Sequence, residues 1–152
     1  MFVRKCWEQL FEIVVEQMSR GVEGNGVVIT GNPGIGKSWF LNYVMMRLAR
    51  DTKHRHRAVV YESVAYGLIW TLEPSGAVRK MDWRRRSVVK LLYDSSTVYL
   101  FDPAGNTGDS REPQRCDAFT VVTASPNPVH YKDFKKHSKV PGITPQTFYM
   151  AP

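Results

Sequence analysis

Apolar residues gather along the chain in short β-branched runs divided by polar stretches, and five of those runs read as buried strands. They cover 26–30 (Gly-Val-Val-Ile-Thr), 58–63, 97–102, 118–123 and 147–150. Between them the spacing changes. Val3, Trp7, Leu10, Phe11, Val14 and Met18 recur at helical intervals, and Gly21 stands where such a helix would stop. Phe40, Leu41, Val44, Met45 and Leu48 do the same within 39–50, where Arg47 and Arg50 suit the negative end of a helix. Trp7 and Phe11 are assigned to packing against the sheet rather than to a partner-binding stripe. Residues 68–72 and 77–81, around Pro74-Ser75-Gly76, predict a small β-hairpin inserted after the second strand. The stretch 83–93 fits helix or strand, and 129–137 fits a short helix. Strands joined mostly by helical or irregular crossovers predict an α/β sandwich of three layers, with a mostly parallel sheet of about five strands.

Composition narrows the class without changing that picture. A chain of 152 residues with 43% hydrophobic and 23% charged residues fits one globular domain. Cys6 and Cys116 make no disulfide framework. Glu8, Glu12 and Glu16 interrupt the leading apolar stretch, which argues against a signal peptide, and no apolar run is long enough for a bilayer. The expectation is a soluble intracellular chain with no membrane partner. Its formal net charge of +7 is concentrated in 47–57, 79–90 and 132–139. Those clusters keep a nucleic-acid partner open beside solvated basic faces and the positive field a nucleotide needs.

One stretch carries specific chemistry. Gly31-Asn32-Pro33-Gly34-Ile35-Gly36-Lys37-Ser38 matches the phosphate-loop pattern G-x-x-x-x-G-K-[ST] in full, between a strand and a helix as that loop requires. Its glycines let successive backbone N–H groups turn toward one anion, and the helix adds its positive end. Lys37 is the candidate for the β- and γ-phosphates, Ser38 for Mg²⁺, and Trp39 continues the binding stretch. Asp102 ends the strand 97–102, where an acid can take hydrogen bonds from water on Mg²⁺; a turn-forming Asp-Pro is the alternative, and the complete phosphate loop upstream favours the magnesium role. The segment 103–117 reads as a loop over the nucleotide site. Thr123, Ser125 and Asn127 follow a strand end, as candidates to sense the γ-phosphate or orient water, or simply as a turn capping the next helix. His54 and His56 lack cysteine or carboxylate partners for a metal site and are read as surface residues.

The layout resembles the additional-strand division of P-loop NTPases, in which one strand lies between the phosphate-loop strand and the acid-bearing strand. A closer likeness rests on the stretch from Gly31 to Phe40, then Val59-Val60-Tyr61-Glu62-Ser63, then Tyr99-Leu100-Phe101-Asp102. It continues through Val121-Val122-Thr123-Ala124-Ser125-Pro126-Asn127 with Tyr131, Lys132, Asp133, Phe134 and Lys136, and ends at Phe148-Tyr149-Met150. In that order these residues are similar to the NTPase module of Crinkler effectors and of retrotransposon hot spot proteins. The resemblance implies one P-loop NTPase domain over 1–152. It comprises a leading helix (1–20), a strand, phosphate loop and helix (26–50), the acid strand (97–102) and a sensor-like strand (118–127). It implies ATP rather than GTP, Mg²⁺, a regulatory role, and action in a host nucleus as part of a secreted effector. The ubiquitin-like header, helical lid and effector domain of that layout are expected to be absent.

Many related ATPases place a glutamate after the magnesium-associated aspartate, and here Pro103 stands there. Asp109 or Glu112 is left as a base, and Arg111 or Arg115 as a neutraliser of phosphoryl charge, in the same chain or in a self-associated neighbour. The expectations are therefore two: a slow ATPase with Lys37, Asp102, Thr123 and Ser125 in its catalytic site, or a nucleotide- or nucleic-acid-binding adaptor without useful turnover.

Overall fold

The computed structural model describes residues 4–20, 26–82, 86–103, 112–126, 131, 134–135 and 145–151. Within them the order is α1 (Lys5–Ser19), β1 (Gly26–Thr30), α2 (Lys37–Arg50), β2 (Val59–Ser63), β3 (Leu68–Leu72), β4 (Val78–Met81), α3 (Arg86–Leu92), β5 (Val98–Asp102), β6 (Phe119–Ala124) and β7 (Gln146–Tyr149). The expected turn at 21–25, Asn127, and most of 129–137 lie outside the described residues, as do 83–85 of the ambiguous stretch. What is described of that stretch is helix α3.

The strands form one sheet in the order β4-β3-β2-β5-β6-β1-β7. Five of them, β2, β5, β6, β1 and β7, run parallel to one another. The five expected core strands are present, and the mostly parallel sheet is corrected: with the two hairpin strands, seven described strands make a mixed sheet. The hairpin does not stand aside as an insertion. It extends the sheet, with β3 antiparallel to β2 and β4 antiparallel to β3. The turns explain this, because a connection of a few residues can only fold the chain back beside itself, whereas a parallel neighbour needs a crossover. Gly67 (φ 59°) and Gly76 (φ 85°) make those reversals.

Strand alternation divides the side chains between two faces. Val27, Ile29, Val59, Val98, Leu100 and Val121 pack with Trp7, Phe11 and Val14 of α1 and with Phe40, Leu41, Val44 and Leu48 of α2. Val60, Tyr99, Phe101 and Val122 face the other way, toward Val88 and Leu92 of α3. Helices thus cover both faces, which makes three layers. Trp7 and Phe11 are core residues, as their spacing predicts. No described helix is long and apolar enough to cross a membrane.

His54 departs from expectation. It is buried and His56 exposed, because Asp51 gathers the connection into a tight turn: its carbonyl accepts from the His54 and Arg55 amides, and its carboxylate from the Lys53 amide. Polar composition hides a burial imposed by main-chain geometry.

Candidate functional site

The site begins where β1 ends. Gly31 follows Thr30, and the main chain beyond β7 pairs with that strand end, the Met150 amide donating to the Thr30 carbonyl at 2.7 Å. A methyl group on Gly31 would stand 3.0 Å from the Met150 carbonyl oxygen and 3.3 Å from Ile35 Cγ2, a tight fit that favours glycine. Ile35 is buried and pins the loop to the core, while Asn32, Pro33 and Gly34 are exposed. Gly36 has φ 95°, a left-handed conformation that swings the chain into α2. The helix then starts with the Phe40 amide donating to the Gly36 carbonyl at 2.9 Å.

Lys37 lies over this loop. Its ammonium donates to the Gly31 carbonyl at 2.7 Å and the Asn32 carbonyl at 3.0 Å. Burial holds its pKa below the ordinary lysine value, and the negative charge of Asp102 pulls it back up. That influence links the loop to a residue two strands away. β6 separates β1 from β5, and its register sets Ile29 beside Thr123, while Phe101 of β5 stands beside Val122. Asp102 at the end of β5 and Thr123 near the end of β6 therefore stand side by side on the face covered by α2. Asp102 is 8% exposed, and its Oδ1 accepts from Thr123 Oγ1 at 2.9 Å.

The remaining candidates are placed unequally. Ser38 is exposed in the first turn of α2, its carbonyl accepting from Asn42 Nδ2 at 3.1 Å. Trp39 is 63% exposed and takes no part in the core. The Thr123 hydroxyl is committed to Asp102, which makes Thr123 a holder of the acid. Ser125 follows β6, and its Oγ is buried without a partner among the described residues, as is Thr30 Oγ1 at the end of β1. Asp109 and Arg111 lie outside the described residues. Arg115 is described, and it lines a cavity with Val89, Leu92, Tyr93 and Gln114 on the α3 side. The expectation that 103–117 covers the site is corrected for its described second half. To enter β6 parallel to β5, the chain must return to the opposite end of the sheet; the Asp117 and Ala118 amides donate to the Leu92 carbonyl on the way.

Three features escaped the sequence. Tyr61, on the α2 face of β2, is a buried phenol whose pKa is pushed up to about 12, by burial first and then by the charge of Asp102. It stays protonated beside the acid. On the opposite face Tyr99 donates to Glu62 Oε2, a buried pair that reads in sequence as two ordinary strand residues. Arg4, just before α1, donates from Nη1 to the Ile35 carbonyl of the glycine loop at 2.9 Å. No periodicity marks such a contact across 31 residues.

Chemically, the loop offers main-chain donors at the start of a 14-residue helix and one ammonium group, with the orphaned Ser125 hydroxyl at an adjoining strand end. The buried acid stands within electrostatic reach. This is a donor set for an anion with a cation beside it. No known protein family matches the chain, and no curated protein matches it.

Proposed function

We propose that the chain is an ATP-binding P-loop NTPase domain of the Crinkler and retrotransposon hot spot type, with slow magnesium-dependent hydrolysis in a switch role. The observation that supports this most is the pairing of the Lys37 loop with Asp102: a glycine loop between strand and helix, and an acid two strands away with β6 between them. The residues fit the ligand. Loop amides and Lys37 would hold the phosphates, and the Ser125 hydroxyl has unused hydrogen-bonding capacity at the same sheet end. Among the described residues no three His, Cys, Asp or Glu side chains gather around a metal position. Magnesium would arrive with the nucleotide, held by Ser38 and, through water, by Asp102. When bound, it neutralises charge on the phosphate oxygens. Thr123 fixes the Asp102 carboxylate, and Lys37 leaves the Gly31 and Asn32 carbonyls to meet the anion.

The test is calorimetry with MgATP beside measurement of phosphate release, on the parent and Lys37→Ala. Binding and release by the parent, both lost in the variant, support the reading. A folded parent that gives no heat and no thermal stabilisation with MgATP overturns it.

The second reading, a nucleotide- or nucleic-acid-binding adaptor without turnover, draws support from Pro103 in the position of the usual glutamate. The exposed basic residues Arg79, Lys80, Arg86 and Lys90 on β4 and α3 also favour it. Tight MgATP binding without release favours the adaptor, and DNA binding that falls steeply with salt yet survives Lys37→Ala assigns those basic faces to a polyanion. Secretion within a longer effector, action in a host nucleus and self-association belong to this proposal through the family likeness.

A further inference from the structure

The back of the glycine loop is built by the first helix. Arg4 precedes α1 and starts it, its carbonyl accepting from the Trp7 amide at 2.9 Å, while its guanidinium reaches the Ile35 carbonyl. One turn on, Trp7 is 4% exposed, and its Cζ2 lies 3.4 Å from the place a Gly36 methyl group would occupy. The indole Nε1 is buried there without a hydrogen-bond partner among the described residues. Trp7 packs in turn on Tyr43 of α2, ring centroids 5.7 Å apart, and Phe11 packs on the same ring at 6.1 Å. The loop, α1 and α2 are thus joined through Arg4, Trp7 and Tyr43.

The consequence follows from peptide geometry. The Ile35 carbonyl and the Gly36 N–H belong to one planar trans unit and point in opposite directions. A guanidinium that grips the carbonyl from outside the loop therefore fixes the direction of the amide. Trp7 limits how far Gly36 can retreat. We propose that Arg4 and Trp7 are positioning residues that hold the loop's main-chain donors ready for phosphate and couple occupancy of the loop to docking of α1. This rests on the reading of the loop as a nucleotide site. The coupling is reciprocal: if docked α1 improves binding, bound nucleotide must hold α1 in place.

Two measurements test it. Calorimetry with MgATP compares the parent with Arg4→Ala, Arg4→Lys and Trp7→Phe, and amide hydrogen exchange follows α1 in the parent with and without MgATP. The expected result is an affinity about tenfold weaker in Arg4→Ala, equivalent to ~1.4 kcal/mol. Arg4→Lys, which keeps a cationic donor, recovers most of it, and MgATP slows exchange across α1. Affinities for Arg4→Ala and Trp7→Phe within about twofold of the parent, or α1 exchange unchanged by nucleotide, overturn the coupling while leaving the nucleotide site standing. A parent that binds no MgATP removes the site and the coupling together. Where Arg4→Ala does not fold, exchange in the parent decides.

Discussion

Thr123 Oγ1 donates to Asp102 Oδ1 at 2.9 Å across two neighbouring parallel strands, so the carboxylate at the end of β5 is held by a side chain of β6. Both residues are almost fully buried. Thr123→Val keeps the shape and removes the donor, which should cost about 1.5–3 kcal/mol, the range for a hydrogen bond to a charged group. Urea unfolding measures the loss, and Thr123→Ser, which keeps a hydroxyl, should recover part of it. If Asp102 serves magnesium-bound water, Thr123→Val also raises the magnesium concentration needed for half-maximal phosphate release. Unchanged stability and magnesium dependence would remove Thr123 from the site.

That hydrogen bond marks the limit of what the chain discloses in one dimension. The strands around Val28, Val60, Leu100 and Val121 were legible as continuous β-branched runs because both their faces are buried, and the helices around Leu10 and Val44 by the helical period of one buried face. The loop was legible too, since glycine at 34 and 36 and lysine at 37 answer local demands of backbone and charge. Which strand borders which is a different matter. Periodicity in residues 98–102 does not say that β6 rather than β1 lies beside them; the P-loop resemblance implies an intervening strand, which the sheet has, but not that Thr123 meets Asp102. The antiparallel side of the sheet was misread for a related reason: its hairpin was recognised, but edge pairing with β2 depends on which edge stands open. Arg4 and His54 were missed because a side chain reaching a distant carbonyl, or buried by a turn, leaves no periodic trace.

The pair on the opposite face gives a second prediction. Tyr99 is fully buried, and its phenol donates to the buried Glu62 while accepting weakly from the Gln114 amide at 3.5 Å. Burial, then the neighbouring carboxylate, raises the phenol's pKa well above its ordinary value, so it remains a donor throughout the working pH range. Tyr99→Phe should destabilise the fold by about 1–3 kcal/mol, the cost of leaving a buried polar group short of a partner. In a double-mutant cycle with Glu62→Gln, the combined loss should fall short of the sum. Strict additivity would mean that the two groups do not act together.

His54 supplies a pH dependence whose sign can be worked out. Burial lowers its pKa below the ordinary 6.5; Asp51 opposes this, and the charges of Arg57, His56 and Lys53 add to it. The unfolded chain therefore takes up a proton near pH 6.5 while the folded chain still resists, so the unfolded state binds more protons in that window. The stability attached to neutral His54 is complete above pH 6.5 and is lost as the pH falls through the lower folded value. His54→Gln cannot take up that proton, so its melting temperature should fall less than the parent's between pH 7.5 and pH 5. Carboxylates and the other histidines contribute to both proteins, and the difference between the two curves isolates His54. Parallel curves would mean that His54 protonates alike in the folded and unfolded chain, and that its burial is without consequence for stability.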